Sequence, residues 1–267
     1  MGNVTSSATT GQSELLKIEQ SGTVLTVGLN RPAKRNALND GIILAIQDCF
    51  SNIPDDVGSV VIHGIGDHFS SGLDLSELTE RDATEGLVHS QMWHRVFDRI
   101  QYSRVPVIAA LKGAVIGGGL ELACAAHIRV AEPSAYFALP EGQRGIFVGG
   151  GGSVRLPRLI GVARMTDMML TGRVYSASEG VAYGFSQYLT EDGGSLSKAI
   201  ELAERVASNA PLTNFAVLQA LPMIAEANPQ GGLLMESLMA TVAQSDKEAK
   251  RRIRDFLDRK TAKVKPS

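Results

Sequence analysis

Apolar and polar residues alternate over residues 15–19 and again over 23–29, with Ser21-Gly22 between them. Period two interrupted by a Ser-Gly pair predicts a β-hairpin, and Asn30-Arg31-Pro32 ends its second strand. The period then changes. Ile42, Ile43, Ile46 and Phe50 recur at helical spacing, which predicts a helix over 39–52. Val60-Val61-Ile62-His63 reads as a short buried strand and Phe69-Ser70-Ser71-Gly72-Leu73-Asp74 as a loop. A long helix is expected over 85–101, a strand over 107–111, a helix from 117 to 126, and strands over 128–131 and 136–138. Strand and helix alternate, so the fold class is α/β with a largely parallel sheet.

Strand signals stop near Leu189. Leu196, Ala199, Ile200, Ala203, Val206 and Ala207 mark an amphipathic helix, and further helices follow over 214–226, 232–244 and 247–262. The expected organisation is a polar, disordered leader over 1–13, a mixed core over 14–195 and an all-helical region over 196–267.

The 267 residues and 44% hydrophobic content suit one large domain or a domain with an extension. Net charge is only −2, which excludes a polyelectrolyte. The charge is uneven, however: residues 247–265 hold nine Lys or Arg against three Asp or Glu. That tail reads as a solvated helix face or as a phosphate-binding edge. RNA contact would call for interleaved aromatics, and Phe256 is the only one there, so no nucleic-acid partner is expected. Cys49 and Cys124 give neither a disulfide framework nor metal spacing, and the five histidines form no HxxxH or HxH pair. No metal is expected. No apolar run reaches a membrane span and no signal pattern opens the chain, so the expected location is cytoplasmic, without membrane association.

The chemistry is carried by two glutamates near glycine runs. Glu121 follows Gly117-Gly118-Gly119-Leu120, and Glu141 precedes Gly149 to Gly152. Neither run satisfies GxxxxGK[ST] or GxGxxG, which disfavours a nucleotide site. A helix opening at Gly117 to Gly119 presents unpaired N–H groups to a substrate oxygen, as an oxyanion hole requires. A second donor is available from Ser71-Gly72-Leu73-Asp74. Twenty residues separate the carboxylates, enough chain to fold back and bring both to one water, where one takes a proton and the other gives one. Tight helix packing is the competing reading of the first glycine run, and helix-terminal charge that of a single glutamate.

These residues resemble the crotonase, or enoyl-CoA hydratase/isomerase, superfamily. The motifs are Asn30-Arg31-Pro32 with Asn36-Ala37-Leu38, Phe69-Ser70-Ser71-Gly72-Leu73-Asp74-Leu75, Gly117-Gly118-Gly119-Leu120-Glu121-Leu122-Ala123 and Phe137-Ala138-Leu139-Pro140-Glu141, within a likeness running from about Leu15 to Ala262. The resemblance implies a ββα spiral core and a helical C-terminal region that builds trimers, usually paired into hexamers. It implies an acyl-CoA thioester substrate, with coenzyme A as part of that substrate and no further cofactor. It puts the oxyanion-hole amides at Leu73 and Gly118, and Glu121 and Glu141 at the two hydratase carboxylates. Lys34, Arg35, Ala37, Ser71, Asp74 and Leu75 fall where relatives contact CoA. Phe256 and Lys260 fall where a neighbouring subunit completes that site. The chain departs from the common hydratase pattern after Glu141, with Gly142-Gln143-Arg144-Gly145 and Val148 in place of a proline. That variant is most similar to the methylthioacryloyl-CoA hydratases of the superfamily. Gly142 is expected to leave space beside Glu141, and Arg144 to steady nearby negative charge. An ordinary enoyl-CoA hydratase, an isomerase, a 3-hydroxyacyl-CoA hydrolase and an RNA-binding homologue are the alternatives.

Overall fold

The computed structural model describes residues 14–77 and 80–258. The leader expected over 1–13 and the position of Lys260 lie outside those residues. The chain forms two compact units that divide after Ala207.

In the first unit, β1 (Leu16–Ser21) and β2 (Val24–Leu29) form the expected antiparallel hairpin, turning through Gly22 and Thr23. Helix α1 (Asp40–Ser51) is capped by Asn39, whose side chain accepts from Ile42 N. Strand β3 (Ser59–Gly64) pairs parallel to β2. Helix α2 (Ala83–Gln101) starts two residues earlier than its apolar spacing predicts, because Asp82 and Glu85 close a capping box around its first turn. Next come β4 (Val107–Leu111), β5 (Ala114–Ile116), α3 (Gly118–Ala125), β6 (Ile128–Ala131) and β7 (Tyr136–Ala138). The unit ends with α4 (Gly152–Ile160), α5 (Val162–Thr171), β8 (Tyr175–Ser176), α6 (Ala177–Tyr183), β9 (Tyr188–Leu189) and α7 (Ser195–Ala207).

Two sheets result. One runs β1-β2-β3-β4-β6-β9 and is parallel apart from the hairpin; the other runs β5-β7-β8. The central strands are buried on both faces, which explains their continuous apolar runs. Val60, Ile62, Val107 and Ala109 face the main core with Ile42, Ile43, Val96 and Phe97. Val61, Ile108 and Val130 face Ala199, Leu202 and Ala203 of α7. That helix, read from sequence as the start of the helical region, is therefore the second cover of the sheet. Ser59 Oγ donates to Ala203 O at 2.9 Å and fixes its position.

The second unit is helical in its described residues. Helix α8 (Pro211–Phe215) continues through a π-helical turn over Ala216–Ala220 into α9 (Leu221–Glu226), and α10 (Pro229–Ser245) and α11 (Lys247–Leu257) follow. No helix among the described residues is long and apolar enough to cross a membrane.

Candidate active site

A cavity of about 430 Å³ opens beside the N-terminus of α3. It is lined by the 71–75 loop, one face of α2, Gly117, Gly118, Glu121, Glu141 and the 144–150 segment. The structure thus brings Leu73, Gly118, Glu121 and Glu141 together.

Two backbone amides are set first. Leu38 and Leu73 form a parallel bridge, with Leu38 N donating to Gly72 O and Asp74 N to Leu38 O. This leaves the Leu73 N–H without a hydrogen bond among the described residues. The Gly118 N–H opens α3 and so has no partner within the helix. The two amides are neighbours: a Cβ on Gly118 would stand 3.6 Å from Leu73 N, and one on Gly72 3.2 Å from Gly118 N. Bulk is excluded here by Trp93, whose Cζ3 would lie 2.9 Å from a Cβ on Gly118. Gly117 takes φ +52°, where glycine alone is comfortable, and a side chain there would run into Glu141 Oε1.

Glu121 is 4% exposed. Its Oε1 accepts from Gly150 N at 2.8 Å and Gly152 N at 2.7 Å. Burial pushes its pKa up, opposed by those N–H groups and by the Arg155 charge. The second glycine run thus cradles a carboxylate of this chain. Glu141 is 8% exposed, and its Oε2 is buried with no hydrogen bond among the described residues. Burial raises its pKa to about 7; the Glu121 charge adds to the rise, while its own backbone N–H and Arg144 oppose it. Glu121 has one oxygen held by two N–H donors, whereas Glu141 has a buried oxygen with none among the described residues.

The remaining residues divide. Ser71 and Leu75 line the cavity. Lys34 is turned to Ser76, with Nζ donating to its Oγ at 3.2 Å. Arg35 adopts a left-handed conformation, and its carbonyl accepts from Ser71 N. Ala37 is buried, with its carbonyl accepting from Arg31 at 2.7 Å. The Asp74 side chain accepts from Ser76 Oγ at 2.6 Å and pairs with Arg31 at 2.8 Å, and these donors hold its pKa down to about 2. Its fixed role is to latch the 31–38 segment to the 70–76 loop. Phe256 lies in the second unit, exposed. The expectation for Gly142 is corrected: a Cβ there would collide with the Met169 carbonyl of α5, so close backbone packing requires the glycine and its missing side chain adds no room to the site. Among the described residues no group of His, Cys, Asp and Glu could hold a metal ion.

Sequence reasoning missed Trp93, Ser90 and Arg155. Trp93 is the one tryptophan, and Arg155 stands between Val154 and Leu156 in an apolar run; both were signals available in the sequence.

The enoyl-CoA hydratase/isomerase family model matches residues 19–266. The chain belongs to the enoyl-CoA hydratase/isomerase family. Within that family it is 33% identical to the 2,3-dehydroadipyl-CoA hydratase of Escherichia coli (strain K12), across 95% of this chain and 99% of that protein. It is 34% identical to the short-chain-enoyl-CoA hydratase of Clostridium acetobutylicum, across 73% and 76%. A crystal structure from Rhodopseudomonas palustris CGA009 shares 79% identity with a TM-score of 0.92, covering 97% of this chain and all of that one. The fold is that of the crotonases, an α/β core followed by a helical C-terminal region.

Proposed function

We propose that the protein hydrates a short 2-enoyl-CoA. The observation that carries this reading is the unequal pair of carboxylates on one cavity, Glu121 held by two N–H groups and Glu141 with one buried oxygen lacking a donor and a pKa of about 7. Two carboxyl groups whose environments differ in this way suit opposite proton roles at neutral pH. The thioester carbonyl accepts from Leu73 and Gly118 N–H, which stabilise the developing enolate; one such donor is worth roughly 10²–10³ in rate. Glu121 takes a proton from water as it adds to C3, and Glu141 delivers one to C2.

The acyl group we favour is 3-methylthioacryloyl. The segment after Glu141 supports it, and so do the cavity walls: Leu75, Trp93, Ile116 and Phe147 suit a compact thioether, and sulfur packs well against aromatic rings. Water addition at C3 gives a hemithioacetal, which expels methanethiol and leaves an aldehyde at C3. Hydrolysis of the thioester then frees CoA and malonate semialdehyde, which loses CO₂ to give acetaldehyde. Glu141 serves that step by activating water or by attacking the carbonyl to form an anhydride. A second reading has its own support. Arg144 lines the cavity with no ion pair among the described residues, which suits an acyl chain ending in a carboxylate. The same proposal includes a homo-oligomer, since Leu221, Met223, Leu233, Leu234 and Leu238 of the second unit are all more than half exposed.

The test is turnover of crotonyl-CoA, 3-methylthioacryloyl-CoA and 2,3-dehydroadipyl-CoA by the purified protein, recording hydration, methanethiol and free CoA. The expected preference is for the methylthio ester, with both products released. Preference for the dicarboxylic ester would favour the Arg144 reading, and no hydration of any ester would overturn the proposal.

A further inference from the structure

Glu121 sits on α3, but nothing on α3 holds its carboxylate. Its two donors are N–H groups of the glycine segment 149–152. A glycine run has no side chains with which to fix its own peptide planes, so something else must orient them. In a trans peptide the C=O and N–H of one unit point in opposite directions. Whatever grips a carbonyl therefore aims the amide on the far side of the same plane.

Side chains grip two carbonyls of the segment, while Gly151 O, on the peptide that carries the Gly152 N–H, accepts from Val154 N and Arg155 N at 3.2 Å in the first turn of α4. Ser90 Oγ donates to Gly149 O at 2.7 Å, and the peptide carrying that oxygen also carries the Gly150 N–H that reaches Glu121. The next peptide, which lies between the two donor amides, carries Gly150 O, and this accepts from Arg155 Nη1 at 3.0 Å. Arg155 is itself fixed: Nε donates to Gln101 Oε1 at 2.6 Å and Nη2 to Asp98 Oδ1 at 2.5 Å. Its guanidinium is buried, and a Cβ at Gly151 would collide with it. Ser90, Asp98 and Gln101 all lie on α2, spaced eight and three residues apart on one side of the helix.

We propose that Ser90 and Arg155 are positioning residues anchored through α2: Ser90 turns the Gly150 amide toward Glu121, and Arg155 fixes the Gly150–Gly151 peptide that joins it to the Gly152 amide. The orientation of the carboxylate is thus set from α2 and α4, while α3 only carries it. The planar fork of Arg155 meets three acceptors with three separate nitrogens, a spread that the single ammonium nitrogen of a lysine does not reproduce. The inference rests on the reading of Glu121 as a proton-transfer group.

The charged and titratable groups near this assembly are Arg155, Asp98, Glu141, Cys124 and His94; His94 Nε2 is 3.3 Å from Ser90 Oγ. The Arg155 charge favours ionised Glu121. Its removal should therefore raise the Glu121 pKa further. Two measurements separate this inference from the functional reading. The first is kcat and KM for crotonyl-CoA against pH in Ser90→Ala, Arg155→Lys and Arg155→Ala. Loss of one neutral hydrogen bond in Ser90→Ala should lower kcat about tenfold with KM within about twofold. Arg155→Ala should lower it on the order of 10²-fold, as expected for a misplaced catalytic group. Its acid limb should move to higher pH, and added guanidinium ion should restore part of the rate. The second measurement needs no turnover: thermal stability against pH, with and without Glu121→Gln, in the parent and Arg155→Ala backgrounds. A carboxylate with a raised folded pKa contributes stability that is complete below its unfolded pKa and lost as pH rises through its folded one. In Arg155→Ala that loss should extend to higher pH. If the parent hydrates no enoyl-CoA, the functional reading fails, and the stability cycle still decides whether Arg155 acts on Glu121. Full kcat in folded Ser90→Ala and Arg155→Lys, or an effect on KM alone, would overturn the positioning role. So would an unmoved stability profile in Arg155→Ala. Should Arg155→Ala fail to fold, Ser90→Ala and Arg155→Lys carry the decision.

Discussion

Adding one methyl group at Gly152 tests the carboxylate cradle most directly. The residue opens α4 and its backbone is one that alanine adopts freely. By helix propensity alone, Gly152→Ala should stabilise the protein by up to ~1 kcal/mol. Packing argues the opposite. The new Cβ would stand 2.7 Å from Glu121 Cγ and 2.9 Å from Oε1. Carbon atoms in contact prefer about 3.5–4.0 Å, so the Glu121 side chain must retreat by about 1 Å. That retreat stretches the bonds from Gly150 and Gly152, now 2.8 and 2.7 Å. A hydrogen bond to a charged group contributes about 1.5–3 kcal/mol, so losing even one outweighs the gain in propensity. We expect Gly152→Ala to unfold at lower temperature and to hydrate crotonyl-CoA on the order of 10² more slowly. Gly149→Ala is the internal control, since the nearest atom to its Cβ would be Ser90 Oγ at 3.8 Å; its turnover should stay within a few-fold of the parent. The assay is loss of the conjugated enoyl-thioester absorbance, alongside a thermal melt. A Gly152→Ala protein with full turnover and a raised Tm would refute the reasoning, because propensity would then have won and the cradle would carry no weight.

Two further outcomes follow from the ionisable groups. The Glu141 pKa rises from 4.5 to about 7 on folding, which disfavours its charged form by ~3 kcal/mol. Stability should fall as pH rises from about 4.5 through about 7, and Glu141→Gln should remove most of that slope in pH-dependent melts; an unchanged slope would contradict the assignment. Asp74 has the opposite sign: its pKa falls from 3.8 to about 2, so its contribution is present above 3.8 and lost as pH drops through about 2. Asp74→Asn, which removes the carboxylate facing Arg31, should cost about 3 kcal/mol in denaturant unfolding at neutral pH, and a loss below ~0.5 kcal/mol would show that the latch is dispensable.

The central strands and the long helices were legible because one or both of their faces are buried, and burial writes its period into the sequence. Val60 to Ile62 and Ile42 to Phe50 are examples. Both glutamates were legible because charge among glycines and apolar residues is costly unless it is used. Of the shortest elements β7 was legible, as a strand over 136–138, and the others were not. Strand β5 has three residues and β8 and β9 two each, too few for any period to show. The purpose of the Gly149 to Gly152 run was also hidden, since its donors serve a side chain some thirty residues earlier. The Gly142 expectation went wrong for a related reason: the atom that forbids a side chain there belongs to the Met169 backbone, and sequence carries no sign of which backbone will pass close by. Arg31 and Asp74 appear in separate motifs, and only the Leu38–Leu73 bridge shows that they meet.

The cover supplied by α7 has a consequence for the chain as it is being made. Strands β2, β3, β4 and β6 are all complete by residue 131, yet the helix that shields Val24, Val61, Ile108 and Val130 begins only at Ser195. A ribosome adding about 5–20 residues each second leaves that apolar surface bare for several seconds after the strands have emerged. During that interval the nascent polypeptide offers a sticky, water-facing plate to any neighbour. Any mutation that delays the docking of α7, such as loss of the Ser59 hydroxyl that grips it, would lengthen the interval. Its cost would then be felt more in the yield of native protein during synthesis than in the properties of the molecules that do mature.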